Sequence, residues 1–155
     1  MFDPIIRNFL LIICLTMPHI FWYTMYIMKN GEKMKLSTMV EEVNQEQELL
    51  QLCDKLVADL LDQHLQQFPT LTEYSYSYKV SRKYIKIISD SGNQRSVWGF
   101  INKSEWTKPS GITFKSGDVL MSAGWATPAL NQPRGNLFQG YQITGSRKYG
   151  PDYLR

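Results

Sequence analysis

Two histidines and two cysteines are all that this 155-residue chain offers of the side chains that most often bind metal or act as nucleophiles. Cys14 and Cys53 stand far apart and form no CxxC pair, so neither a disulfide framework nor a zinc site is expected. Reduced thiols fit a cytoplasmic protein. No P-loop occurs, and no GxGxxG follows a strand. A Ser-His-Asp triad would have to use His64, which reads as solvated near a helix end, and no nucleophile elbow accompanies it. The other histidine, His19, lies in an apolar N-terminal run. Past residue 68 the only acids are Glu73, Asp90, Glu105, Asp118 and Asp152, with no close pair suited to acid–base work. No enzyme class, cofactor or metal is therefore expected, although nucleases that rely on Arg, Lys and Tyr stay open.

That scarcity of acids is one half of a charge polarity. Residues 34–68 carry two basic residues against seven acidic ones, a net of −5. Residues 69–155 carry twelve against five, a net of +7, with thirteen aromatics interleaved. The basic part could meet a polyanion, or it could dock against the acidic part.

The chain divides into three segments: 1–33, 34–68 and 69–155. Phe9–Met28 holds no charged residue and is long enough to span a bilayer. Lys29, Lys33 and Lys35 follow it, which would leave the C-terminal part in the cytoplasm of a single-pass protein. Pro18 and His19 sit mid-span and weaken that reading. The leading expectation for 1–33 is instead an upstream reading-frame extension, with the membrane anchor as its alternative. Codons for Gly31-Glu32 can resemble a bacterial ribosome-binding site just ahead of Met34. A membrane association is expected only if Phe9–Met28 is translated.

From Leu36 to Phe68 apolar residues recur at helical spacing: Leu49, Cys53, Leu56, Leu60. Ser37 is a candidate cap, and the polar stretch Asn44–Glu48 leaves open one long helix or two short ones. Pro69 ends the run. Tyr74, Tyr76, Tyr78 and Val80 alternate with Ser75, Ser77 and Lys79, a strand signature. Tyr84–Asn102 reads as a β-hairpin around SDSGN, with Trp98 and Phe100 on one face and Gly99 marking a bulge or a close backbone approach. SEWTKPSG reads as a loop, ITFKSGDVLM as two short strands about a turn, and LFQGYQITG as a last strand. The expected fold is α+β: an N-terminal amphipathic helix on a small antiparallel sheet of five or six short strands. A small, partly open β-barrel is the alternative.

GWATPALNQPRGN is a loop stiffened by Pro128 and Pro133, with Trp125 expected to anchor it to the core. Arg134 offers a donor fork to a phosphate or carboxylate, or pairs with an acid such as Asp118. RSVWGFI, then GDVLMSAGWATPA, then PRGNLF resembles a recurrent group of short proteins from tailed bacteriophages. The likeness covers roughly Lys83 to Tyr141 and includes Arg95, Ser96, Phe100, Gly117, Asp118, Trp125, Pro128, Ala129, Arg134, Gly135 and Phe138. It implies phage origin and expression in the cytoplasm of an infected bacterial host, but no reaction. Met121 and Ala126 stand where such proteins often carry Lys, which weakens any nucleic-acid role carried over from them.

The leading expectation is a small non-enzymatic binding protein that takes nucleic acid or another anionic ligand on its basic β-rich part. The candidate contacts are Arg82, Lys83, Lys86, Arg95, Arg134, Arg147 and Lys148, with Trp98, Trp125, Tyr76 and Tyr78 as aromatic partners. The rival is a protein-interaction factor: a host or defence inhibitor, or a minor virion component. It would bind a host or phage protein through the Leu-rich helix or the Trp125–Arg134 loop. Clustering of the cations on one face favours the first, and an exposed apolar patch the second.

Overall fold

The computed structural model describes residues 36–70, 73–143 and 145–153. Phe9–Met28 and the rest of 1–33 lie outside them. Asn44–Arg155 forms one compact unit. Among the described residues one α-helix, α1 (Leu36–Gln67), is followed by strands β1 (Ser75–Val80), β2 (Tyr84–Asp90) and β3 (Arg95–Asn102). Then come three two-residue strands: β4 (Trp106–Thr107), β5 (Thr113–Phe114) and β6 (Val119–Leu120). Two short 3-10 helices, Leu137–Gln139 and Gly145–Tyr149, complete the order. The polar stretch Asn44–Glu48 does not break α1, because Gln and Glu are good helix formers and it holds no Gly or Pro. Ser37 lies inside the helix rather than capping it.

The main sheet is antiparallel, in the order β1-β2-β3-β6, and β4 and β5 pair separately. This is an α+β fold with no closed barrel. One sheet face meets α1. Leu49, Cys53, Leu56 and Leu60 pack there with Tyr76, Ile85, Ile87, Trp98, Ile101 and Val119. The Lys103–Glu46 ion pair (2.7 Å) joins helix to sheet at one end, and Gln63 Nε2 donating to Ile143 O (2.6 Å) joins the helix to the C-terminal part at the other. Burial, then the neighbouring Asp54 charge, pushes the Cys53 thiol up to about 12, so it is an inert core residue. The opposite face carries a smaller cluster of Phe100, Phe114 and Leu120 under the β4–β5 hairpin.

A bulge decides which aromatic goes where. Ile87 pairs with Gly99 but Ile88 with Val97, so Trp98 is the extra residue in β3. Trp98 therefore turns to the helix side with Ile101, whereas Phe100 stays on the outer side. The expected shared face for Trp98 and Phe100 is overturned for that reason. Gly99 is also a close approach: a Cβ there would lie 2.9 Å from both Leu120 O and Pro151 Cγ.

Two further expectations change. SEWTKPSG contains β4, which pairs with β5 through Trp106↔Phe114 and Thr107↔Thr113, too short a ladder to leave an alternating pattern. LFQGYQITG is not a strand. Asn136 caps the 3-10 turn by accepting from Phe138 N, and Gly140 closes it at φ +76°.

His64 is buried rather than solvated. Its ring stacks on Tyr74 at 3.8 Å and tilts against Phe68 at 5.3 Å. Burial, then the facing Lys148 ammonium, holds its pKa below the usual value. The unfolded chain takes up that proton near the ordinary histidine pKa, about 6.5, while the folded chain resists it. Stability is thus full above that value and falls as pH drops toward the folded pKa. Thermal unfolding between pH 7.5 and 5 is expected to show this loss, and His64→Gln to flatten it. An unchanged slope in His64→Gln would refute the assignment.

Candidate functional site

Strand alternation sorts the basic residues onto surfaces. Lys86 lies directly across from Phe100, which is on the outer face, so Lys86 shares that face. Lys79 opposes Lys86 from β1 in the same row. Ser77, Ile88 and Val97 form the next row, and Ser75, Asp90 and Arg95 the one beyond it. The β4–β5 hairpin covers one end of this face. At the other end Ser75, Ser77, Lys79 and Arg95 are exposed.

Trp125 reaches this face from the loop after β6. Ala129 N donates to Met121 O (2.7 Å), Ala123 N to Thr127 O (3.0 Å), and Ser122 bridges Pro128. Residues 121–129 thus make a small hairpin with Trp125 near its tip and Pro128 buried at its base. Trp125 is 52% exposed, so it does not anchor the loop to the core as expected; Pro128 does. The Lys86 ammonium sits 4.3 Å from the Trp125 ring centroid and donates to Trp125 O at 3.2 Å. One indole face is held by a cation while half of the side chain stays open to solvent.

The other candidates separate. Lys83 joins the outer surface, its ammonium 3.3 Å from the Trp106 centroid. Arg95 is bound to Asp90 (2.6 Å) but its side chain is 71% exposed. Asp90 is held below the usual carboxylate range, first by that Arg95 bond and then by Gly92 N–H. Arg82 is exposed in the β1–β2 turn. Arg147 and Lys148 lie instead in the C-terminal 3-10 segment. Arg147 is paired with Asp152 at 2.6 Å, and Lys148 lies over Phe68 and Tyr149. Trp98 is buried, its Nε1 donating to Arg147 O at 2.7 Å, and Tyr76 OH donates to Lys148 O at 3.2 Å. Tyr78 is half-buried and points to the helix side. None of these three aromatics is offered to a ligand in this structure. Arg134 is partly buried and turned onto its own loop, where it donates to Gln132 O and Asn131 Oδ1.

Asp118 is not the partner of Arg134. It accepts from Lys115 N (2.7 Å) and from Asn136 Nδ2 (2.8 Å). The Gly-Asp and Arg-Gly-Asn motifs therefore meet each other, and their role is to close the loop. Sequence reasoning missed Lys79, whose importance appears only once its register against Lys86 is known. A groove of about 430 Å³ between α1 and Leu137–Ile143 carries Asp59 and Asp62 against the one cation Lys55 at its wall, a net negative setting unsuited to a polyanion.

Among the described residues no helix is long and apolar enough to cross a membrane. The model of a family of unknown function, DUF7717, matches residues 23–143. No curated protein and no solved structure matches the chain.

Proposed function

We propose a function from the site alone, because the chain belongs to the family of unknown function DUF7717 and membership brings no activity with it. The protein is a non-enzymatic binder of nucleic acid, and its contact surface is the outer sheet face around Trp125. One observation carries this reading. A half-exposed Trp125 stands beside Lys86, with Lys79, Lys83 and Arg95 on the same surface and Asp90 the only carboxylate in the strand rows. An exposed indole beside cations suits a single strand, whose bases stack while its phosphates meet the ammonium groups. Phage origin and action in the cytoplasm of an infected bacterium belong to the same proposal. They rest on the pattern running from Arg95 to Phe138.

Fluorescence anisotropy with labelled single- and double-stranded DNA and RNA across a salt series tests it. Single strands are expected to bind more tightly, with log affinity falling linearly in log salt. Trp125→Ala is expected to cost about 1–3 kcal/mol, the worth of one stacked base. Lys86→Ala should reduce the salt slope, and Arg134→Ala should change neither. Absence of binding at low salt ends the proposal. The rival reading, a protein interface, is favoured by Tyr149 and Tyr153, which are 66% and 80% exposed.

A further inference from the structure

The two edges of the main sheet are unlike. The β6 edge is closed by the loop: Val119 N donates to Gly135 O and Arg134 N to Val119 O. The β1 edge is open, since among the described residues no group bonds to the outer side of Ser75–Val80. Ser81 N donates to Tyr84 O across the β1–β2 turn. Alternation from that pair directs the main-chain groups of Ser75, Ser77 and Lys79 at β2, and those of Tyr76, Tyr78 and Val80 outward.

We propose that two copies of the chain pair antiparallel through β1, about a two-fold axis at Ser77, into one continuous sheet twice as wide. An isologous contact requires a self-complementary strand, and SYSYK is one. In this register Tyr76 pairs with the partner's Tyr78 along the main chain, which satisfies the outward main-chain groups on each side of the axis. Charge points the same way. Within its own chain Lys79 stands directly opposite Lys86, a destabilising like-charge pair, and among the described residues it has no ion-pair partner. Across the axis it lies opposite the partner's Ser75 and diagonal to the partner's Glu73. In its own copy Glu73 is exposed. A lysine on an edge strand ordinarily discourages pairing. Here the two lysines are separated by roughly 13 Å of strand, four residues at about 3.3 Å each, and each approaches a carboxylate instead. The pairing does not depend on what the outer face binds.

The test uses the full chain with Cys14→Ser, leaving only the buried Cys53. Ser77 is exposed, and its two-fold mate would lie about 4.5 Å away between Cα atoms, within disulfide reach. Ser77→Cys is expected to cross-link to a covalent dimer under mild oxidation, and Ser75→Cys, which faces the partner's Lys79, to stay uncross-linked. In sedimentation velocity the uncross-linked chain should dimerise reversibly. Lys79→Glu relieves the repulsion from Lys86 but sets a carboxylate beside the partner's Glu73. It should weaken the dimer about tenfold or more while keeping the monomer folded, as judged by circular dichroism. A chain that stays monomeric, or associates with neither cysteine cross-linking, or cross-links equally at both positions, overturns the proposal.

Discussion

Asp118→Ala is expected to remove about 3–5 kcal/mol of stability, much of what a domain of this size possesses. Asp118 is buried and accepts from both Lys115 N and Asn136 Nδ2. Asn136 is buried too; its Nδ2 also donates to Ser116 O, and its Oδ1 accepts from Phe138 N. Deleting the carboxylate strands the buried Asn136 amide hydrogen and the part-buried Lys115 N–H, and each orphan costs about 1–3 kcal/mol. The backbone leaves little room to adjust. Gly117 has φ +81°, and a Cβ on it would lie 2.5 Å from the Phe138 ring. Asp118→Asn rescues only part of the loss, because its one oxygen accepts from either Lys115 N or Asn136 Nδ2 and its NH2 then faces the other donor to donor. Urea denaturation should show a lower midpoint at an unchanged slope. Asp90→Ala, at the exposed pair with Arg95, provides the comparison and should do far less. Equal effects of the two substitutions would contradict the buried-network account.

Trp98→Ala is expected to cost about 3–5 kcal/mol, as for other buried large-to-small changes. Trp98 is 2% exposed and meets Tyr141 edge-on at 6.4 Å. Its Nε1 bond to Arg147 O also ties the C-terminal 3-10 segment to the sheet. Trp98→Phe retains much of the volume and forfeits the bond, so its loss should be smaller. Both variants should release residues 145–153 ahead of global unfolding. Hydrogen exchange there is expected to accelerate while exchange in Ile85–Ile87 holds in Trp98→Phe. Uniform acceleration across the sheet would show that the bond does not hold the segment.

The helix and the β2–β3 hairpin were legible because both carry long periodic signals. Leu49, Cys53, Leu56 and Leu60 mark one helix face, and Tyr84–Asn102 is two strands around a turn. Gly99 advertised the irregularity in β3. The sequence could not say that the extra residue is Trp98, and that one-residue shift moves a tryptophan across the sheet. Trp125 looked like a core anchor because an isolated large aromatic in a loop usually is one, yet the 121–129 hairpin turns it outward and buries Pro128 instead. LFQGYQITG has strand-forming residues, but the Asn136 cap and Gly140 override them. The basic residues were legible as a count and not as a surface. Lys86 and Arg147 fall on different sides only because of pairings made by residues far from them in sequence.

The dependence of the core on distant residues has a consequence for synthesis. Pro151 is buried against Gly99, Ile143 joins the helix-side cluster, and the carbonyls of Arg147 and Lys148 receive Trp98 and Tyr76. A nascent chain whose residue 151 is still inside the ribosomal exit tunnel has made every main-sheet strand but cannot close the core over them. Until those residues emerge, the face of β3 bearing Trp98 is the surface that a chaperone would see.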